Sequence, residues 1–117
     1  MSTIEKLMDS AIADVDVLRS LNSQGDDFRK FRGVDFLFVC PTQERAELVA
    51  SFINDYRYGD ATAHESDGRH LIEVRIVMPV EQNLILSVSG FMTCLADLYG
   101  IDFDGWGCAS CAPPRDS

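Results

Sequence analysis

The feature that most constrains the fold is a nearly continuous apolar run, VDFLFVC, at residues 34–40. Aromatic and β-branched side chains favour strands, and an almost unbroken apolar run is typical of a central strand that is covered on at least one face. Pro41 ends the run, because proline lacks the amide hydrogen that a sheet requires. The run therefore predicts the strand on which the rest of the chain packs.

Hydrophobic periodicity predicts the other elements. Apolar residues three or four apart indicate helices at residues 1–22, from residue 42 to a stop at 54–56, and at about 80–99. Alternation indicates strands at 70–78 and 101–106, and the weakly apolar residues 57–65 fit an edge strand. Asp67-Gly68 predicts a tight hairpin turn. The stripe of the first helix consists of Ile4, Leu7, Met8, Ile12, Val15 and Leu18.

The order of these elements, a helix followed by strand-helix-strand-strand-helix-strand, predicts an α+β fold. A βαββαβ unit is the ferredoxin-like plait, an antiparallel sheet with two helices on one face, in which the last strand lies beside the first. We expect one domain over residues 1–117: an N-terminal helix and linker at 1–25, the ferredoxin-like core at 34–108 and a loose tail at 109–117. The N-terminal helix has three possible positions: over the helix-free face, at an edge of the sheet, or in a dimer.

The charge of the chain bears on its partners. Nineteen acidic and ten basic residues give a net charge of -9 and a pI near 4.4. Such a field repels polyphosphate and anionic membranes and attracts basic proteins, although charge of this size also serves solubility alone. We therefore expect a basic protein partner and no direct contact with nucleic acid or membrane.

Compartment and cysteine chemistry follow from what the sequence lacks. No apolar run reaches the roughly twenty residues of a membrane span, and acidic residues interrupt the N-terminal segment where a secretory signal would need an apolar core. We expect a cytoplasmic protein with reduced thiols. Cys108 and Cys111 have the spacing of a redox or zinc pair, but they follow a strand and have no second paired spacing elsewhere. Unpaired thiols, with no cofactor and no metal, are the expectation.

The closing strand carries the candidate site. Asp102 and Asp104 fall on one side of the strand, together with Trp106, and Gly105 and Gly107 allow a bulge or a positive φ. Two neighbouring carboxylates without a base or a metal favour an acidic binding face over acid–base catalysis, so we expect no enzyme. Trp106 either covers the end of the core or contacts a partner.

The same residues carry a family resemblance. The segments VDFLF at 34–38, Met78-Pro79, LADLYG at 95–100 and FDGWG at 103–107 together resemble the bacterial regulator of ribonuclease activity B family, the ribonuclease E inhibitor proteins. The resemblance implies a small, acidic, ferredoxin-like protein that binds a ribonuclease, ribonuclease E in particular, and lowers its activity without being a nuclease. Where better-known members of that family carry a long acidic C-terminal tail, this sequence has CAPPR at residues 111–115.

These observations give one main hypothesis and two alternatives. The main hypothesis is a non-catalytic regulator that binds an endoribonuclease through Asp102, Asp104 and Trp106, as a monomer or a homodimer. The first alternative is a dimeric small-molecule sensor, which an apolar pocket lined by Met78, Phe91 and Met92 would favour. The second is an acidic mimic of nucleic acid.

Overall fold

The predicted helices and strands are all present in the computed structural model, which describes residues 1–112. In chain order these residues form α1 (Thr3–Ser23), β1 (Arg32–Cys40), α2 (Gln43–Asp55), β2 (Asp60–Ser66), β3 (Arg69–Met78), α3 (Gln82–Tyr99) and β4 (Asp102–Cys108). Of the predicted loose tail at 109–117, residues 113–117 lie outside the described part of the chain. The earlier part of the tail, at Cys111, forms backbone hydrogen bonds that are described below.

The elements begin and end where local chemistry predicts. The side chain of Thr42 accepts a hydrogen bond from the amide of Arg45 and caps α2. Gly100 takes the left-handed conformation that ends α3. The turn between β2 and β3 has positive φ at both Asp67 and Gly68, as the predicted hairpin requires.

The four strands form one sheet with the order β2-β3-β1-β4, and each neighbouring pair is antiparallel. This is the predicted ferredoxin-like arrangement, with β1 and β3 as the central pair and β4 beside β1. The alternation along β1 separates its two faces: Val34, Phe36 and Phe38 are fully buried under the helices. They form the hydrophobic core with Ile72 and Val74 of β3 and with residues of α2 and α3, including Val49, Ile53, Ile85 and Met92.

The opposite face of the sheet carries no helix of the described chain. Leu37, Val39 and Leu71 are half-buried there by their neighbours on adjacent strands. Arg75 lies across Asp35, with its Nε donating to a carboxylate oxygen at 3.1 Å. The helix-free face is thus a mixed surface of aliphatic and charged side chains.

The N-terminal helix α1 packs along α3 and touches β4, the strand at one edge of the sheet, so it docks at an edge and does not cover the helix-free face. The ammonium of Lys6 binds Asp97 at 2.6 Å, and Thr3 binds the same carboxylate. Leu7 packs where Gly90 has no side chain. These contacts fix both the position and the rotation of α1.

The predicted apolar stripe of α1 is divided by this rotation. Leu18 is buried as expected, but Ile4, Met8 and Ile12 are 70, 61 and 63% exposed. The reason is that polar residues of α1 are turned toward α3 and β4 in their place. Periodicity identified the helix correctly and did not determine which of its sides is buried.

Candidate functional site

A bulge in β4 determines where its side chains point. Phe103 pairs with Phe38 and Trp106 pairs with Phe36, so three steps along β4 match two steps along β1. The extra residue is accommodated at Gly105, whose φ is +90°. Trp106 therefore lies on the same face as Phe103, toward the helices. The simple alternation that placed Trp106 beside Asp102 and Asp104 is wrong, because the bulge reverses the faces.

The indole of Trp106 is held by a buried carboxylate of α1. Its Nε1 donates a hydrogen bond to Oδ1 of Asp14 at 2.8 Å, and Asp14 is only 4% exposed. Burial raises the pKa of Asp14, although hydrogen bonds from Ser89 and Trp106 act in the opposite direction. This hydrogen bond thereby joins β4 to α1.

Hydroxyl groups extend this contact along the interface between α1 and α3. The hydroxyls of Ser10 and Ser89 lie 3.0 Å apart, and the hydroxyl of Thr93 lies 3.1 Å from that of Ser10. Ser89 and Thr93 are buried, so each hydroxyl needs a partner, and the network supplies one. This network selects the side of α1 that faces inward.

Together, α1, α3 and β4 line a cleft of about 410 Å³, which we call the acidic cleft. Five of its lining residues are aspartates, and the one lysine among them, Lys6, is bonded to Asp97. The other four carboxylates have no lysine or arginine within ion-pair distance in the described structure. The cleft is lined by Met1, Lys6, Asp9, Ser10, Ala13 and Asp14 of α1, Thr93, Ala96 and Asp97 of α3, and residues 101–105.

The structure separates the three predicted site residues. Asp102 and Asp104 are exposed and line the acidic cleft, so they are free to meet a partner. Trp106 is half-buried and is engaged with Asp14. Asp9 and Asp14 join the two predicted aspartates, and the prediction missed them. Asp14 shares one side of the helix with Leu7, Leu18 and Leu21, but this spacing alone does not show which side of α1 is buried.

The chemistry that this cleft supports is the binding of cations. Carboxylates around a partly enclosed depression attract lysine, arginine and other positive groups. Within residues 1–112 no three His, Cys, Asp or Glu side chains are arranged to hold a metal ion. None of the helices in that range combines the length and apolar character needed to cross a membrane.

A second buried aspartate lies where the chain leaves β4. Oδ2 of Asp26 accepts hydrogen bonds from Arg32 at 2.7 Å and from the backbone amide of Cys111 at 2.8 Å. Burial would raise the pKa of Asp26, but these bonds and the charge of Arg32 outweigh it and lower the pKa. We call this group, Asp26, Arg32 and the Cys111 amide, the C-terminal clasp. It holds the backbone of Cys111 against the linker that follows α1.

Cys108 and Cys111 both adjoin this clasp. Burial raises the pKa of the Cys108 thiol, and a hydrogen bond with Arg32 opposes that effect. A raised pKa disfavours the reactive thiolate. Cys40 lies at the other end of β1, since Val34 pairs with Cys108 and Val39 with Asp102, and so cannot join Cys108 at one site.

Fold and site together define a class of protein: a ferredoxin-like domain whose extra N-terminal helix is joined to the closing strand by an Asp–Trp contact beside an acidic cleft. A family model described as Regulator of ribonuclease activity B matches residues 11–108. The chain belongs to this family, and the match includes both Asp14 and Trp106. No significant match is found among curated proteins. The family description names a regulator of ribonuclease activity, which confirms the predicted resemblance.

Proposed function

We propose that this protein binds an RNA-processing endoribonuclease of the ribonuclease E type and lowers its activity, without cleaving RNA itself. The observation that carries the proposal is the acidic cleft, where Asp9 and Asp14 of α1 meet Asp102 and Asp104 of β4. The partner supplies lysine or arginine side chains to this cleft. Family membership supports a ribonuclease as that partner.

Electrostatics supports the same interaction at long range. With a net charge of -9, the protein accelerates encounter with a basic surface, and a cleft concentrates the field near the bound cation. Trp106 has an indirect role in this proposal. Because its indole binds Asp14, it positions α1 against β4 and keeps the two walls of the cleft together.

The alternative of a small-molecule sensor has no comparable support. An apolar pocket lined by Met78, Phe91 and Met92 would have favoured it. Met78 and Met92 are 7 and 0% exposed and are packed within the hydrophobic core. These side chains contribute to stability rather than to a ligand site.

The test compares two variants of equal net charge. In the cleft variant, Asp102→Asn and Asp104→Asn remove two carboxylates from the acidic cleft. In the control variant, Glu47→Gln and Asp55→Asn remove two exposed carboxylates from α2. Association with purified ribonuclease E is measured by surface plasmon resonance at low and raised salt, and inhibition is measured by cleavage of a labelled RNA.

We expect the cleft variant to associate roughly tenfold more slowly at low salt and to inhibit weakly, while the control variant stays close to wild type. The difference should shrink at raised salt, since screening removes the steering term. Equal behaviour of the two variants would show that the cleft is not the site. Absence of binding and inhibition by the wild type would refute the function itself.

A further inference from the structure

One face of α1 is apolar and is left uncovered by the rest of residues 1–112. Ile4, Met8 and Ile12 are spaced four residues apart and therefore form a row along the helix, which we call the outer stripe. They are 70, 61 and 63% exposed. Leu98, which is 82% exposed, follows the Asp97 that binds Thr3 and Lys6, so it lies near the N-terminal end of the stripe. Contiguous apolar surface of this kind marks interaction sites.

Specific contacts keep the outer stripe facing outward. The buried side of α1 carries Ser10 and Asp14, which bond to Ser89 and Trp106. Burial of the whole predicted stripe would have turned Ile4, Met8 and Ile12 inward as well. The polar network therefore fixes a rotation that leaves three large apolar side chains exposed, a cost that a bound partner would remove.

Acidic residues border the outer stripe. Glu5 and Asp9 each follow a stripe residue and thus lie about 100° further around the helix. Asp16 lies seven residues, or about two helical turns, beyond Asp9 and so continues this acidic row. Among the described residues, the one basic side chain in ion-pair distance of Asp16 is Arg19, whose Nη1 lies 3.7 Å from the Asp16 carboxylate. Both side chains are well exposed, so this pair neutralises little of the charge of Asp16. The solvent side of α1 thus presents an apolar row beside a carboxylate row.

This pattern of charge discriminates between occupants. Two copies of the chain joined through their stripes would bring two acidic rows together, each on a chain of net charge -9. Like charges facing each other across an interface oppose association. A helix that carries an apolar row flanked by lysine or arginine matches both rows at once.

We propose that the outer stripe is a docking site for a basic amphipathic helix of a partner protein. Such a helix would place its apolar side chains on Ile4, Met8 and Ile12 and its cations against Glu5, Asp9 and Asp16. The inference rests on the proposed function only in taking the ribonuclease as the owner of that helix. The docking surface adjoins the acidic cleft at Asp9, which belongs to both, but the outer stripe itself lies outside the cleft lining and is tested separately.

The experiment uses the full-length protein and a fluorescent synthetic peptide as probe. The peptide is an amphipathic helix with leucine on one face and lysine on the other, and a control peptide replaces the lysines with glutamates. The stripe variant carries Met8→Gln and Ile12→Gln. The matched control variant carries Leu48→Gln and Tyr56→Gln, which change apolar residues of α2 and its C-cap that are 55 and 69% exposed. Binding is followed by fluorescence anisotropy, and thermal melts check the fold.

We expect the lysine peptide to bind the wild type and the control variant alike, and to bind the stripe variant at least tenfold more weakly. Changing Glu5→Gln and Asp16→Asn should weaken binding and reduce its salt dependence, because the row of charge is removed. The glutamate peptide should not bind. Unchanged affinity of the stripe variant, or no binding of the lysine peptide to the wild type, would overturn the proposal.

Two further measurements separate the other outcomes. Sedimentation of the wild type at increasing concentration reports self-association; a dimer that the stripe variant abolishes would assign the stripe to a second copy and overturn the proposal. The cleft variant, Asp102→Asn with Asp104→Asn, should still bind the lysine peptide. If ribonuclease E is not inhibited even by the wild type while the peptide binds as expected, the proposed function fails and the docking site stands.

Discussion

The two buried aspartates of this molecule, Asp14 and Asp26, have opposite electrostatic environments. Asp14 is 4% exposed and has the neutral donors Trp106 and Ser89, so burial dominates and its pKa is raised. The Asp26 side chain is 0% exposed and binds the guanidinium of Arg32, so its pKa is lowered despite burial. Burial alone therefore does not determine the protonation of a carboxylate; the charge of its partner does.

The difference also separates two structural roles. Asp26 neutralises Arg32 and closes the C-terminal clasp, where a full charge faces a full charge. Asp14 tethers α1 to β4 through a neutral indole and remains poorly compensated as an anion. We therefore expect removal of the Arg32 cation to destabilise the C-terminal clasp, and removal of the Asp14 acceptor to destabilise the contact between α1 and β4.

The largest effect is expected from Arg32→Met. The methionine keeps much of the side-chain volume but leaves the carboxylate of Asp26 buried without a cation, which costs about 3 to 5 kcal/mol. Urea unfolding measures the loss. Arg29→Met is the matched control, because Arg29 binds Asp27 at the surface and should contribute little. Similar losses in both variants would show that Arg32 is no more than a surface charge.

The next effect is expected at Asp14. Asp14→Leu leaves the indole N–H of Trp106 without an acceptor, at a cost of about 1 to 3 kcal/mol, whereas Asp14→Asn preserves an acceptor oxygen and should cost less. Unfolding curves of the two variants provide the comparison. Emission of Trp106, the one tryptophan of the chain, should change in the leucine variant, since its hydrogen bond is lost. Equal stability of the two variants would mean that this bond contributes nothing.

A smaller effect is expected at the bulge that turns Trp106 toward Asp14. Gly105→Ala places a side chain at φ +90°, where no other atom interferes, so the cost is that of the backbone alone, about 1 to 2 kcal/mol. Gly107→Ala is the control, because that site is equally open and its φ is ordinary. Urea unfolding should show a loss at residue 105 and almost none at 107. The reverse order would contradict the bulge.

Local signals in the sequence were sufficient for the elements and their order. Each of these signals determines the structure of only the few residues around it. They are the apolar run of β1, the cap at Thr42, the turn at Asp67-Gly68 and the stop at Gly100. Once four strands and the two helices that connect them are recognised, such signals also determine the order of the strands, because few topologies accommodate this sequence of elements. For this reason the ferredoxin-like arrangement was predictable.

The rotation of α1 and the faces of β4 were not predictable, since both depend on distant partners. Ser10 and Asp14 reach residues of α3 and β4 that are far along the chain, and no periodicity encodes those pairings. Similarly, Gly105 indicated that a bulge was permitted, but the register against β1 determines that it occurs. The sequence identified Asp102 and Asp104 as acidic residues of the closing strand, but it did not show that they lie in one cleft with Asp9.

The smallest effects concern pH, and they distinguish the two aspartates directly. Ionised Asp14 carries a burial cost that protonation relieves, so its raised pKa makes the wild type gain relative to Asp14→Asn as the pH falls toward the ordinary pKa of aspartate. Asp26 behaves in the opposite way. Its lowered pKa gives a stabilising contribution that is complete above the ordinary value and is lost as the pH falls through the folded-state value.

Urea unfolding between about pH 3 and pH 7 should therefore show two separate windows. The difference between wild type and Asp14→Asn should change above the ordinary aspartate pKa, and the difference between wild type and Asp26→Asn should change below it. If both differences changed in the same window, the two carboxylates would share one electrostatic environment. The contrast between a neutral and a charged partner would then have no energetic consequence, and hydrogen bonding alone would explain both sites.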